Sequence, residues 1–100
     1  MWLYLYSRTA CNILQNFFGA VAVTTAFLPA LKRTAQRRSQ NERPVLAIVN
    51  SFASRVPLPT MAAYSASKAA LASFVDSIRP EMGKSGIHVA QIQPGRCPLL

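Results

Sequence analysis

Hydrophobic and polar positions divide the chain into stretches of different periodicity. From Thr9 to Leu31 no residue is charged, and Ile13, Phe17, Val21, Thr24 and Leu28 recur every three or four positions with Ala20, Ala22 and Ala26 between them. That spacing predicts a helix that is apolar on nearly all sides. Such a helix either crosses a membrane or lies buried between neighbours. Asn12, Gln15, Asn16, Thr24, Thr25 and Pro29 make it a poor span, so burial is expected and a membrane is not. Pro29, followed by Lys32 and Arg33, predicts the helix C-terminus, with cations complementing the dipole. Residues 1–6 are apolar but too short for a span or a signal-peptide core, and Arg8 follows them.

Residues 32–44 form a polar, basic connection, and Pro44 biases its predecessor toward extended backbone. The continuous apolar run at 45–49, VLAIV, predicts a strand buried on both faces, as in a parallel sheet. Asn50 and Ser51 end it, at the strand end where ligands collect in open parallel sheets. Residues 52–60, with Pro57 and Pro59, predict a loop, and a helix should start close to Thr60. Leu71, Phe74, Val75, Ile78 and Met82 mark its apolar face, and a series of alanines supplies helix propensity and a slim profile. Pro80 predicts a kink or stop near residues 78–79, with Gly83 or Gly86 closing the element. Residues 87–92 form a second strand candidate, ending before Pro94-Gly95. Helix, strand, helix, strand is an α/β arrangement. Two strands need further elements at their edges and faces, so a part of a larger sheet is expected.

Composition narrows the class. The chain has 100 residues, 51% hydrophobic and 14% charged, which is neither a disordered nor a fibrous profile. Its formal charge is +8, much of it from Lys32, Arg33, Arg37, Arg38 and Arg43. Such a cluster can attract nucleic acid or anionic lipid, but no aromatic residue interleaves it to stack on bases. A solvated segment is therefore expected, and no nucleic-acid partner. Cys11 and Cys97 have no metal-ligand spacing and His88 has no companion ligands, so no metal site is expected and free thiols in a reducing, cytoplasmic setting are.

The candidate chemistry centres on Tyr64-Ser65-Ala66-Ser67-Lys68. A tyrosine and a lysine four residues apart lie one above the other on a helix. A phenol beside an ammonium is easier to ionise, which suits a proton-transfer role near neutral pH.

With these residues placed, the chain resembles the short-chain dehydrogenase/reductase family, classical type, from about residue 16 to residue 95. Asn16-Phe17-Phe18-Gly19 is similar to the family's Asn-x-x-Gly, Phe27-Leu28-Pro29 to the Leu-Pro that follows it, and Tyr64 with Lys68 to its Tyr-x-x-x-Lys. Ser51 stands thirteen residues before Tyr64, where the family's catalytic serine usually lies, and Gly86 to Val89 with Pro94-Gly95 resemble the strand and turn beside the nicotinamide. The resemblance implies a partial Rossmann-like, doubly wound parallel sheet and the interconversion of a carbonyl and a secondary alcohol with NAD or NADP, NADP being preferred. It implies Tyr64 as general acid or base, Lys68 beside it and on the cofactor ribose, Ser51 on the substrate oxygen, and Asn16 holding a water. Tyr64, Lys68, Pro94 and Gly95 would contact the cofactor. It also implies a homodimer through the two long helices, and some members are anchored at the endoplasmic reticulum membrane, the alternative location.

The departures are specific. None of Gly19, Gly83, Gly86 and Gly95 stands in a G-x-G-x-x-G fingerprint, Ser54 occupies a position where glycine is common, and the usual threonine after Pro94-Gly95 is replaced by Arg96 and Cys97. Residues 1–100 are therefore expected to form one partial domain, the catalytic half without its dinucleotide-binding half, unable to bind cofactor alone. A non-catalytic dimerisation fragment is the alternative.

Overall fold

The computed structural model describes residues 1–37 and 42–95; Arg38, Cys97 and the rest of the last five residues lie outside it. The elements are α1 (Trp2–Asn12), a π-helical segment (Ile13–Phe18), α2 (Gly19–Arg37), β1 (Val45–Val49), a 3-10 turn (Phe52–Ser54), α3 (Ala62–Lys84) and β2 (His88–Ile92). The first three are continuous: Ile13 and Gly19, which join them, both keep right-handed helical dihedrals. The molecule is consequently elongated, 54 × 30 × 21 Å.

β1 and β2 pair in parallel, Val45 opposite His88 through Val49 opposite Ile92, with α3 as the crossover. The expected helix–strand–helix–strand order is thus present. Ile48 and Val89 of the sheet, Leu71, Val75 and Met82 of α3, and Ile87 form the buried core. Phe17, Ala20, Leu28, Leu31 and Ala35 pack against it from the long N-terminal helix. Phe17 meets the Phe74 ring edge-on at 6.1 Å, a favourable quadrupole arrangement.

Four expectations need correction. Pro29 does not end the first long helix, which runs on to Arg37 and takes in half of the predicted polar connection. Nor does Pro80 end α3. A proline forfeits the bond to the carbonyl four residues earlier. Here Pro29 and Thr25, like Pro80 and Asp76, are solvent-exposed, so water can take over the freed carbonyl. Third, β1 is not buried on both faces: Ile48 is buried and Leu46 half-buried, while Val45, Ala47 and Val49 are exposed. Fourth, the uncharged stretch is not enclosed between neighbours. Only Thr24 of α2 is buried, and Leu14, Phe18, Val23 and Phe27 face outward. These last two share one cause. The helices pack on the sheet from one face, and among the described residues nothing covers the other face or the far side of α2. The helix over residues 2–8 had no predicted counterpart.

Gly86 closes α3, as one of the two predicted candidates. Its φ is +78°, the Ile87 N–H donates to the Met82 carbonyl and the Gly86 N–H to that of Gly83. This is the Schellman arrangement, with Ile87 and Met82 both in the core as its hydrophobic contact. A Cβ on Gly86 would also lie 3.4 Å from that of Ala35. Gly86→Ala is expected to cost about 1–2 kcal/mol, read as a lower urea midpoint with unchanged slope.

The loop after β1 is pinned to α3 by Arg55, whose guanidinium lies 2.9 Å from the Asp76 carboxylate; Arg79 approaches the other oxygen at 3.0 Å. The Arg55 hydrogen bond holds the Asp76 carboxyl below its ordinary range, partly offset by desolvation and reinforced by Arg79. A depressed carboxylate contributes stability above its unfolded value, lost as pH falls through the folded one. Because the pair is exposed, the contribution stays below about 1 kcal/mol. An NMR titration of Asp76 should therefore midpoint below the usual aspartate, and Arg55→Gln should move it upward.

Candidate active site

The first turn after β1 is organised by Asn50, which sequence reasoning passed over. It is buried; its N–H donates to the Ile92 carbonyl at 2.7 Å, its side-chain amide donates to the Lys68 carbonyl at 3.2 Å, and its side-chain oxygen accepts from the Ser51 N–H at 2.9 Å. One side chain thus ties the strand end to α3 at the level of Lys68. A buried amide is stable only when so satisfied. Its sequence signal was its position, directly after the apolar run 45–49.

Ser51 follows with extended backbone, and its Oγ accepts from the Ala53 N–H at 3.1 Å. The bond uses one lone pair and leaves the hydroxyl proton available to donate. The Phe52 N–H donates to the Pro94 carbonyl at 3.0 Å, joining the two strand-end loops. Ser51, Pro94 and Gly95 consequently line one cavity of about 590 Å³, with Phe52, Leu58 and Met61 as apolar wall.

On α3 the Lys68 ammonium lies 5.8 Å from the Tyr64 ring centroid, the stacked i, i+4 arrangement expected of the pair. Between them Ser67, fully buried, donates to the Tyr64 carbonyl at 2.7 Å and accepts from the Asn16 side-chain amide at 3.0 Å. Asn16 sits in the π-helical segment, a distortion that often marks functional positions. Sequence reasoning missed Ser67, although it lies inside the motif, because its role needs a partner 51 positions away.

Asn16 and Lys68 share a cavity of about 460 Å³ between α2 and β1. Such a polar opening has room for water. Tyr64 lines a third space, about 450 Å³, with Tyr4, Leu5, Arg8 and Asn12 of α1 and residues 60–63. Thr60 there holds φ +65°, a strained conformation for a β-branched residue. The structure therefore joins Asn16 to the Tyr64–Lys68 helix, and Ser51 to Pro94 and Gly95. It links the two groups through Asn50, while the cavities around them remain separate.

These residues fit one end of a nicotinamide dinucleotide only. The Ser51–Pro94–Gly95 cavity and the Tyr64–Lys68 pair offer hydroxyl, phenol and ammonium donors of the kind a ribose and nicotinamide need. No glycine-rich strand–turn–helix is present among the described residues to cradle a pyrophosphate.

Known proteins are similar to this chain in sequence and fold. The family description short chain dehydrogenase matches residues 9–98. The chain is similar to mouse estradiol 17-beta-dehydrogenase 2, 45% identical over 80 residues that make up 80% of this chain and 19% of the relative. Human 17-beta-hydroxysteroid dehydrogenase type 2 is 42% identical over the same shares. The chain thus spans about a fifth of the length of these relatives. A crystal structure of a short chain dehydrogenase from Burkholderia cenocepacia J2315 in complex with NADP superposes with a TM-score of 0.76 at 32% identity, over 90% of this chain and 35% of that one. A short-chain dehydrogenase from Streptomyces avermitilis gives 0.70 at 27%, over 82% and 28%. The helix–strand–helix–strand unit built here is part of a Rossmann-like fold, and the chain belongs to the short chain dehydrogenase family.

Proposed function

We propose that residues 1–100 carry the catalytic half of an NAD(P)-dependent oxidoreductase that interconverts a carbonyl and a secondary alcohol. The observation that carries this reading is the Tyr64–Lys68 pair, with the ammonium 5.8 Å from the ring centroid, on a helix whose Ser67 holds Asn16. The Tyr64 phenol gives its proton to a carbonyl oxygen, or accepts one from an alcohol. Lys68 supplies positive charge beside that phenol and a donor for the cofactor ribose. The Ser51 hydroxyl donates to the same substrate oxygen and stabilises charge developing there. Asn16, tied to Ser67 and bordering the cavity shared with Lys68, positions a water that connects Lys68 to solvent. Pro94 and Gly95 shape the nicotinamide end, and the bound cofactor would supply or accept the hydride. NADP is the preferred form, in keeping with the NADP complex of the Burkholderia relative.

The reading is tested with the chain joined behind the dinucleotide-binding half of the mouse relative. Estradiol, the alcohol in that relative's name, serves as first substrate. Turnover is expected, and Tyr64→Phe should lower it by about 10²–10⁴-fold or more. Unchanged turnover in that variant refutes the assignment of Tyr64. In calorimetry the 1–100 chain alone should give no heat with NADPH.

A second reading, a homodimerising fragment without catalysis, is favoured by the exposed apolar residues Leu14, Phe18, Val23 and Phe27 on the long N-terminal helix. Packing the two long helices against a second copy would cover part of that apolar surface. Sedimentation at micromolar concentration should then give a dimer, and Phe18→Asp with Phe27→Asp a monomer. A wild-type monomer removes this reading.

A further inference from the structure

The turn between the two halves of the site is strained. The Met61 N–H donates to the Leu58 carbonyl at 3.2 Å, with Pro59 and Thr60 at the two central positions. With Thr60 at φ +65°, this is the pattern of a type II turn. Proline suits the first central position, but the second favours glycine or asparagine. A β-branched residue is costly there, and among the described residues no side-chain hydrogen bond of Thr60 offsets the cost.

The neighbours hold this turn loosely. The Leu58 N–H reaches the Ser65 Oγ only at 3.4 Å, and Met61, at the N-cap of α3, makes no side-chain capping bond. Pro59, Thr60 and Met61 are exposed, so little apolar burial is lost when they move. There is also room for movement. Leu58 borders a further space of about 390 Å³, walled by Pro57 and by Ala62, Ala66 and Ala69 of α3.

Among the described residues Met61 alone borders both the Ser51 cavity and the Tyr64 cavity. A substrate oxygen that accepts from the Ser51 hydroxyl and the Tyr64 phenol at once has to lie within hydrogen-bond reach of both. Met61 stands at the boundary such a substrate must cross. We propose that residues 58–61 form a strap that swings Met61 away and merges the two cavities, releasing strain stored at Thr60 in the closed turn. The purpose of the motion rests on the reading in which Ser51 and Tyr64 share one substrate oxygen; the motion itself does not. Strained residues persist where surrounding structure imposes them, and they gather at switch segments. Thr60 thereby lifts the closed state toward the open one, and a residue at ease with positive φ lowers it again.

The methionines are Met1, Met61 and Met82, so carbon-13 methyl labelling of the 1–100 chain reports on strap and core separately. Relaxation dispersion is expected to show microsecond-to-millisecond exchange at Met61 and none at buried Met82. Thr60→Gly and Thr60→Asn should each lower the open population about fivefold, the lower end of what a strained residue stores. In the chain joined to the dinucleotide-binding half, both variants should raise KM for estradiol about fivefold with kcat kept, because binding draws on the open fraction. Adding Met61→Ala to Thr60→Gly should restore KM, since the smaller side chain opens the boundary without motion. A Met61 methyl without exchange overturns the proposal, as does exchange that neither Thr60 variant changes. An unchanged KM in both variants, with the exchange suppressed, overturns the link to substrate. A joined enzyme without turnover counts against the redox reading alone, and the exchange measurement still decides the strap.

Discussion

Leu71 and Val75 leave almost no surface to solvent, and they do so by standing between two partners. On one side are Ile48 and Val89 of the paired strands, on the other Phe17 and its neighbours on the long N-terminal helix. Burial of such side chains is the dominant favourable contribution to folding, roughly 1.5–3 kcal/mol for each. Every functional group is positioned by its distance from this stripe. Tyr64 and Lys68 precede Leu71 on the same helix, Ser51 follows the strand that carries Ile48, and Pro94 follows the strand that carries Val89. Moving α3 by one turn would separate all of them.

Around that apolar stripe, three buried polar groups convert packing into geometry. Asn50 couples the ends of both strands to the Lys68 carbonyl, and Ser67 couples the Tyr64 carbonyl to Asn16. Ser65 adds a weaker link, accepting from the Leu58 N–H at 3.4 Å. Each bond satisfies a group that would otherwise be costly to bury, and each fixes the register of one element against another. The π-helical segment belongs to the same scheme, since the widened turn lies where Asn16 reaches across to Ser67.

One-sided packing explains most of the remaining features. A parallel sheet is stable when both faces and both edges are occupied. Here the face bearing Val45 and Val49 and the outward side of α2 are open, which matches a chain spanning about a fifth of its curated relatives. The cavity between α2 and β1 lies along the same opening. Conversely, the aromatic tip of α1 extends past the core altogether.

Much of this was legible in the sequence because it depends on local periodicity. The apolar run 45–49 after Pro44 read as a short strand, the face through Leu71 to Met82 read as an alanine-rich helix, and Gly86 was one of two residues suited to end it. The Tyr64–Lys68 spacing placed both side chains on one helical face before any fold was known, and motif order tied Asn16 and Ser51 to them. Tertiary structure decided what periodicity cannot carry. Whether Pro29 and Pro80 interrupt a helix depends on whether the freed carbonyls face water, and both sites proved to be exposed. Whether an apolar helix or strand is buried depends on what lies against it, so α2 and β1 are half-covered although their sequences read as enclosed. The work of Asn50 and Ser67 rests on partners 18 and 51 positions distant, contacts that exist only once α3 has packed against the sheet and the long helix.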